Sequence, residues 1–360
     1  MSVDFEEPSG EPCGLFFVAE APGADEVREG RPLVGPSGRL FDQLLGVAGI
    51  AREECWIANV FDFKIPRNEF KARTWSATEE KRHAKAHPDE GALPPCIVSG
   101  KAKRYLVPEH RGAIERLAAR LEAVKPIVVV PLGGTALWAI TGATGIDNWR
   151  GTVTRQGGRV VVPTLHPARV LRQYKLFATV AGDLAKARGE LALRGLGTQE
   201  PRPMWPVDLA AIEGWRMAAA DMLGSGGAIA VDIETAAGQI THVGFGGRGL
   251  AQLVVPFVDE EKPGMSYWAN EKLELEAWLG VERICMMPNP KVMQNGLYDM
   301  FWLERFAGVR VVNYCEDTRL LHHALWPELP KALGYMGQSH LRVGPWKGQR
   351  PKAEETKRDA

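Results

Sequence analysis

The chain has 360 residues, a length that suggests two domains rather than one. Apolar residues make up 45% and charged residues 24%, and 44 Lys and Arg balance 44 Asp and Glu. That composition is globular, and the balance excludes a uniformly basic nucleic-acid coat, so charge has to be read in windows.

In chain order, Leu15–Glu20 reads as a short buried strand, Gly38–Val47 as a helix and Cys55–Val60 as a second strand. Gly112–Ala123 reads as an amphipathic helix. Ile127–Leu132 is a β-branched strand bounded by Pro126 and Gly133, Arg159–Thr164 a fourth strand and Phe177–Leu193 a closing helix. Strands alternating with helices imply a three-layer α/β domain over residues 1–194. Residues 195–206 hold two Gly and three Pro and read as a linker. Beyond it come a helix (Val207–Leu223) and a meander of strands (Ala228–Glu234, Ile240–Gly246, Leu250–Pro256). A helix (Asn270–Leu279), a strand (Arg283–Met287) and helices at Tyr298–Phe306 and Thr318–Leu325 complete a second α/β domain with a mixed sheet, residues 207–350, before a tail at 351–360.

No run approaches the roughly 18–20 apolar residues of a membrane span. The acidic start through Asp4, Glu6, Glu7 and Glu11 lacks the apolar stretch of a signal peptide. The five scattered cysteines contain no C-x-x-C pair. A disulfide scaffold and a zinc ribbon therefore fit poorly, and a reducing cytoplasm is the expected compartment.

Charge is local. Residues 64–125 carry 14 Lys and Arg against 8 acids, and residues 148–175 carry Arg150, Arg155, Arg159, Arg169, Arg172 and Lys175 with no acid. Such a surface can neutralise phosphates, though a solvated face reads the same way. Arg150, Arg169 and Arg172 are the candidate phosphate contacts. Three loops at strand ends carry polar residues: Glu20 after the first strand, Asn59 closing the second and His166 after the fourth. Ligands of open α/β sheets bind at those ends. Each residue alone also reads as a turn, a strand end or a helix cap.

Together they are more specific. The stretches Ala19-Glu-Ala-Pro-Gly-Ala-Asp-Glu26, Gly30-Arg-Pro-Leu-Val-Gly-Pro-Ser-Gly-Arg-Leu40, Ala58-Asn-Val60, Val130-Pro-Leu-Gly133 and Pro163-Thr-Leu-His-Pro-Ala-Arg-Val-Leu-Arg172 resemble the uracil-DNA glycosylase superfamily, nearest its family 4. The resemblance implies that Glu20 positions the attacking water or the sugar, that Asn59 reads the uracil edge, and that His166 donates to the departing base. The chemistry suits those types: a flipped base is read by hydrogen bonds, and a leaving anion needs a donor. Family 4 holds an iron–sulfur cluster through four cysteines. Here only Cys13 precedes the Glu20 loop, and Asp62-Phe-Lys64 stands where a third is expected, so no cluster is expected. The family's base-stacking Phe is Leu33, a change worth about 1–3 kcal/mol of stacking. Residues 69–111, with Trp75, read as an insertion.

In the second domain, Asp232 and Glu234 share one face of a strand, where carboxylates attract a hard cation. Asp299 opens a helix in Asn295-Gly-Leu-Tyr-Asp299. These motifs, with Glu316-Asp-Thr-Arg-Leu-Leu, resemble the DEDD-class 3′–5′ exonuclease domain of family A DNA polymerases. The resemblance implies a ribonuclease H-like fold and two Mg²⁺ or Mn²⁺ ions on Asp232, Glu234 and Asp299. It also implies a strand-contacting Asn295, and Asp317 serving as a helix N-cap. The third motif is normally Tyr-x-x-x-Asp, and Asp359 is the late acid with plausible spacing, with Glu355 in place of the Tyr.

The two halves in this order resemble the N-terminal part of certain bacteriophage DNA polymerases. The leading expectation is a DNA-processing protein with metal-dependent 3′–5′ exonuclease chemistry and a glycosylase-like domain, acting on single-stranded, primer-end or uracil-containing DNA. A polymerase domain encoded downstream and a bacterial or phage-infected cytoplasm go with it. The alternatives are an active uracil-DNA glycosylase with a defective exonuclease domain, and a non-catalytic DNA-binding or polymerase-accessory module.

Overall fold

The computed structural model describes residues 3, 5–65, 74–88, 95–99, 102–193, 203–204, 207–259, 262 and 265–345. Asp359, Glu355 and the tail fall outside the described residues, as does most of the linker at 195–206. The chain divides into two compact units, residues 1–199 with 334–360, and residues 200–333.

The first unit is built on a six-stranded sheet. Its order runs Phe5–Glu6, Trp56–Asn59, Leu15–Ala19, Val128–Pro131, Arg159–Val161, Thr154–Gln156. The four inner strands are parallel and the two outer pairings antiparallel. The inner strands are apolar on both faces because helices cover both. Leu15, Phe17, Val128 and Val130 point into one core with the Pro36–Ala48 and Phe177–Ala192 helices. Phe16, Val18, Ala58 and Val129 point into the other, with Leu117 and Leu121 of the Arg111–Val124 helix. The expected three-layer arrangement follows from this alternation of side chains.

Periodicity did not reveal the shorter elements. The helices Gly134–Thr141 and Pro167–Arg172 begin directly after strand ends, and each is too short for a periodic apolar stripe. The inserted stretch forms an antiparallel sheet of Thr74–Ser76, Ala102–Leu106 and Ile97–Ser99. Its helix Ala77–Ala86 starts in a Ser76/Glu79 capping box, and Trp75 Nε1 donates to Glu80.

The second unit holds a mixed sheet in the order Pro203–Met204, Gln252–Pro256, Gln239–Gly247, Ile229–Ala236, Lys291–Met293, Tyr314–Asp317. The meander is antiparallel; Lys291–Met293 pairs in parallel with Ile229–Ala236, and Tyr314–Asp317 in parallel with Lys291–Met293. The strand expected at Arg283–Met287 is helical instead. Asn270 caps a helix Glu271–Cys285 that buries Ala277, Val281 and Ile284 on one face. The apolar Ile-Cys-Met-Met run fits that helical spacing as well as a strand. Gly334–Pro345, expected with the second domain, packs in the first unit. Among the described residues no helix is long and apolar enough to cross a membrane.

Candidate active site

Parallel register brings the polar residues of the first unit to one edge of its sheet. Ala19 is opposite Asn59 and Val18 opposite Pro131, while Leu132 bridges Thr164. Glu20, Asn59, Thr135 and His166 therefore all follow or close carboxyl ends of neighbouring strands, where the sheet cannot continue pairing.

Glu20 is half-buried and accepts a hydrogen bond from Thr135 Oγ1 at 2.5 Å. Burial pushes its carboxyl above the usual carboxylate range, and the Thr135 bond draws it partly back. Thr135 is buried in the first turn of the Gly134–Thr141 helix, whose N-terminus favours a carboxylate. Asn59 is buried, and its Nδ2 donates to the Val3 carbonyl at 3.1 Å, which fixes the plane of the amide.

His166 is the N-cap of Pro167–Arg172, and its Nδ1 accepts the Ala168 N–H at 3.1 Å. An Nδ1 that accepts carries no proton, so the neutral ring presents its hydrogen on Nε2. Burial and then the nearby Arg172 lower its pKa to about 4, against a smaller pull from Glu26. The imidazole is thus a neutral donor at neutral pH. Gly133, at φ +93, lets the strand-end loop come close: a Cβ there would lie 3.1 Å from His166 Cβ.

Glu26 and Thr135 belong to this site and carried no role in the sequence reading. Glu26 is buried, and its Oε1 accepts Gly35 N–H at 3.0 Å. A Cβ at Gly23 would meet Glu26 Oε2 at 2.5 Å, so glycine there leaves room for the carboxylate. Glu26 lies in the short helix Ala24–Glu29 that follows Gly23, and the loop ending at Gly35 meets its carboxylate, a signal readable only once the two stretches are known to be adjacent. Leu33 is buried in the core, in a left-handed conformation at φ 50.

The basic window at 148–175 divides. Arg150, expected among the phosphate contacts, is 4% exposed and paired with Asp183, so it is an internal cation. Arg159 is held by Glu122 and the Leu121 carbonyl. Arg169 pairs with Asp147 at 2.8 Å and stays partly exposed. Arg172 and Lys175 are exposed, beside the exposed Leu171 and Tyr174. Positive charge and apolar tips therefore flank His166 on the side of its own helix.

Four cysteines for a cluster are not gathered. Cys13 and Cys55 lie with sulfurs 3.7 Å apart on one side of the sheet, and Cys96 is buried in the core of the other side. Cys285 and Cys315 belong to the second unit. The donor set does not fit a four-cysteine cluster.

In the second unit, Asp232 and Glu234 are exposed on Ile229–Ala236, whose alternate residues are buried. Asp299 is buried, and its Oδ1 accepts the Ile233 N–H at 3.0 Å. Burial, with Asp232 nearby, pushes its carboxyl up to about 6 against that hydrogen bond. Among the described residues no three acidic, His or Cys side chains are gathered so as to hold a metal ion. Asn295 caps the next helix at φ 61 and accepts from Arg319 at 2.8 Å. Asp317 is the N-cap expected of it, bonding Arg319 and Leu320 N–H, and it also accepts from Gly296 N–H and Tyr314 OH.

The uracil DNA glycosylase superfamily profile matches residues 10–186. The type-4 uracil-DNA glycosylase of Thermotoga maritima is 31% identical over 187 residues, 50% of this chain and 79% of that protein. That of Archaeoglobus fulgidus is 31% identical over 190 residues, 50% of this chain and 78% of that protein. That of Sulfurisphaera tokodaii is 26% identical over 191 residues, 50% of this chain and 70% of that protein. The matched residues include the four parallel inner strands and all four strand-end loops, and through them the chain belongs to the uracil DNA glycosylase superfamily.

Proposed function

We propose that the first unit excises uracil from DNA, the alternative that ranked second in the sequence reading. The observation that carries it is the neutral His166, which aims an Nε2 hydrogen from the same sheet edge that holds Glu20 and Asn59. Breaking the bond between the sugar and the base leaves electrons on uracil. A donor fixed at the uracil oxygen stabilises that anion without the cost of a buried imidazolium. Glu20, with its raised carboxyl pKa, accepts a proton from water as its hydroxyl bonds to the sugar carbon. Asn59 offers its amide to the base edge in a plane set by Val3. Leu171 and Tyr174 supply apolar tips between Arg169, Arg172 and Lys175, suited to filling the gap left by a flipped base while the cations hold phosphates.

The test is the release of abasic sites from uracil-containing oligonucleotides in EDTA, compared with His166→Ala. No release by the wild-type chain at high enzyme, or release untouched by the substitution, would sink the reading.

A second reading applies to residues 207–333. The order of the sheet, an antiparallel meander continued by two parallel strands, supports a ribonuclease H-like fold, and Asp299 lies beside Asp232. Both are features that the exonuclease resemblance implies. The acids as they stand are not a gathered ligand set, so no metal-dependent step is derived. Shortening of single-stranded DNA with Mg²⁺ or Mn²⁺ that disappears in Asp232→Ala would establish exonuclease activity, and its absence would remove it. The link to a phage polymerase stands or falls with this second reading.

A further inference from the structure

The glycosylase-like unit does not end with the Phe177–Ala192 helix. Residues 334–343, which come after the second unit in the chain, bond back onto it at many points. Tyr335 OH and Thr179 Oγ1 are 2.9 Å apart, and the Arg150 guanidinium lies 4.7 Å above the Tyr335 ring. Gln338 Nε2 donates to the Asn148 carbonyl at 2.7 Å. Arg342 makes a two-pronged pair with Glu190, 2.7 Å at each prong. Val153 N–H donates to the Val343 carbonyl at 3.1 Å. Lys186 Nζ joins three carbonyls, Gly151 at 2.5 Å, Gln338 at 2.6 Å and Leu341 at 2.5 Å. Gly151, at φ +68, is enclosed: a Cβ there would lie 2.6 Å from Asp183 Oδ1 and 2.9 Å from the Gln338 carbonyl.

Beneath this strap lies the buried pair of Arg150 and Asp183. The other use of Asp183 is to accept from Thr164 Oγ1 at 2.7 Å. Thr164 is wholly buried and stands two residues before His166. Its backbone is pinned as well, N–H to the Pro131 carbonyl at 2.9 Å and carbonyl to Gly133 N–H at 2.8 Å. Arg150 also donates to Ser339 Oγ of the strap at 3.4 Å, so a continuous set of hydrogen bonds runs from the strap through Arg150 and Asp183 to the strand end that carries His166.

We propose that residues 334–343 are the closing element of the glycosylase-like unit, and that Thr164, held by Asp183 beneath them, is the positioning residue for His166. The activity arm rests on the glycosylase reading above, whereas the packing arm does not. Burial of Asp183 is tolerable only because Arg150 and Thr164 satisfy its two oxygens, and the strap keeps water from that pair. Loosening the strap admits water to Asp183 and frees Thr164 to turn. A shift of the imidazole by a fraction of its hydrogen-bond length then misaligns Nε2. In sequence, the second unit lies between two parts of the first.

The experiment uses the full chain and two readouts. Hydrogen exchange of residues 163–172 is measured in wild type, in Lys186→Met/Arg342→Gln and in Thr164→Val, with residues 229–256 of the second unit as an internal reference. The expected result is exchange at 163–172 accelerated about threefold or more in both variants, with the reference strands unchanged. Single-turnover uracil excision is expected to slow about tenfold to a hundredfold in Thr164→Val at unchanged DNA affinity, and to recover in Thr164→Ser, which restores the hydroxyl. Exchange at 163–172 equal to wild type in both variants overturns the proposal. An excision rate in Thr164→Val equal to wild type overturns the positioning role. A wild-type chain that excises no uracil removes the glycosylase reading, and the exchange arm still decides whether the strap closes the unit.

Discussion

The hydroxyl of Thr135 donates to the carboxylate of Glu20 across 115 positions of sequence, and this bond draws back part of the rise that burial imposes on the acid. Burial disfavours the charged carboxylate, and a donated hydrogen favours it. Replacing Thr135 by Val keeps the shape and removes the donor. The Glu20 pKa then rises further, so the acidic limb of the pH profile for uracil excision moves to higher pH in Thr135→Val. Excision at neutral pH falls by about tenfold. A profile superimposable on wild type would show that Glu20 is not the group that titrates in the reaction.

His166 gives a prediction with a defined sign. Its folded pKa of about 4 lies below the ordinary imidazole value of about 6.5. Between those values the unfolded chain binds the proton and the folded one does not. Stability from this group is therefore complete above about pH 6.5, declines as pH falls, and is gone below about pH 4. The total is on the order of 3 kcal/mol. Thermal unfolding of His166→Gln is expected to lose less stability than wild type between pH 7 and pH 4.5. In excision the same variant is expected to lose about two to three orders of magnitude, as removal of one oxyanion donor does. Parallel pH–stability curves would contradict the neutral ring.

Arg150 and Arg172 separate structure from substrate within one basic window. Arg150 is buried on Asp183, so Arg150→Ala leaves a buried carboxylate unpaired and costs about 3–5 kcal/mol. The salt dependence of DNA binding by the folded fraction is expected to stay as in wild type. Arg172 is exposed beside the site, and Arg172→Ala is expected to reduce the slope of log affinity against log salt by about 1 with stability unchanged. A slope lowered by Arg150→Ala rather than by Arg172→Ala would reverse these assignments.

The contrast between those arginines marks where sequence reading stops. The six cations of residues 148–175 look alike as text, and only tertiary contacts sort Arg150 and Arg159 inward from Arg172 and Lys175 outward. The parallel strands were legible because Phe16-Phe-Val18 and Val128-Val-Val130 are apolar on both faces, as a twice-covered sheet requires. Glu20, Asn59 and His166 were legible as residues at strand ends. Glu26, Thr135 and Thr164 were not, because each acts through a partner distant in sequence. The strap at 334–343 was hidden for the same reason: its Arg342, Gln338 and Tyr335 are ordinary surface types until Glu190, Asn148 and Thr179 are beside them. Asp232 and Glu234 show a different limit: the spacing puts both acids on one strand face, but spacing alone does not bring Asp299 and these two into one ligand set.

The cysteines support a prediction about metal content. Cys55 Sγ donates to the Ala51 carbonyl at 3.2 Å, and the contact between the two sulfurs holds the Cys13 thiol well below the ordinary thiol range while raising that of Cys55. Cys13 is half-exposed and Cys55 buried, so an alkylating reagent at neutral pH is expected to reach Cys13 well before Cys55. Cys285 is buried and pushed up to about 12, so it is expected to stay unreacted in the folded chain. Cys96 is buried on the far side of the sheet from the pair and cannot join it. Anaerobic incubation with iron and sulfide is therefore expected to leave the chain without the broad visible absorption of a four-iron cluster. Cys13→Ser is expected to retain both fold and uracil excision. Stoichiometric iron and sulfide bound by wild type and lost in Cys13→Ser would refute this, and would mean that the loops carrying Cys13, Cys55 and Cys96 rearrange around a metal.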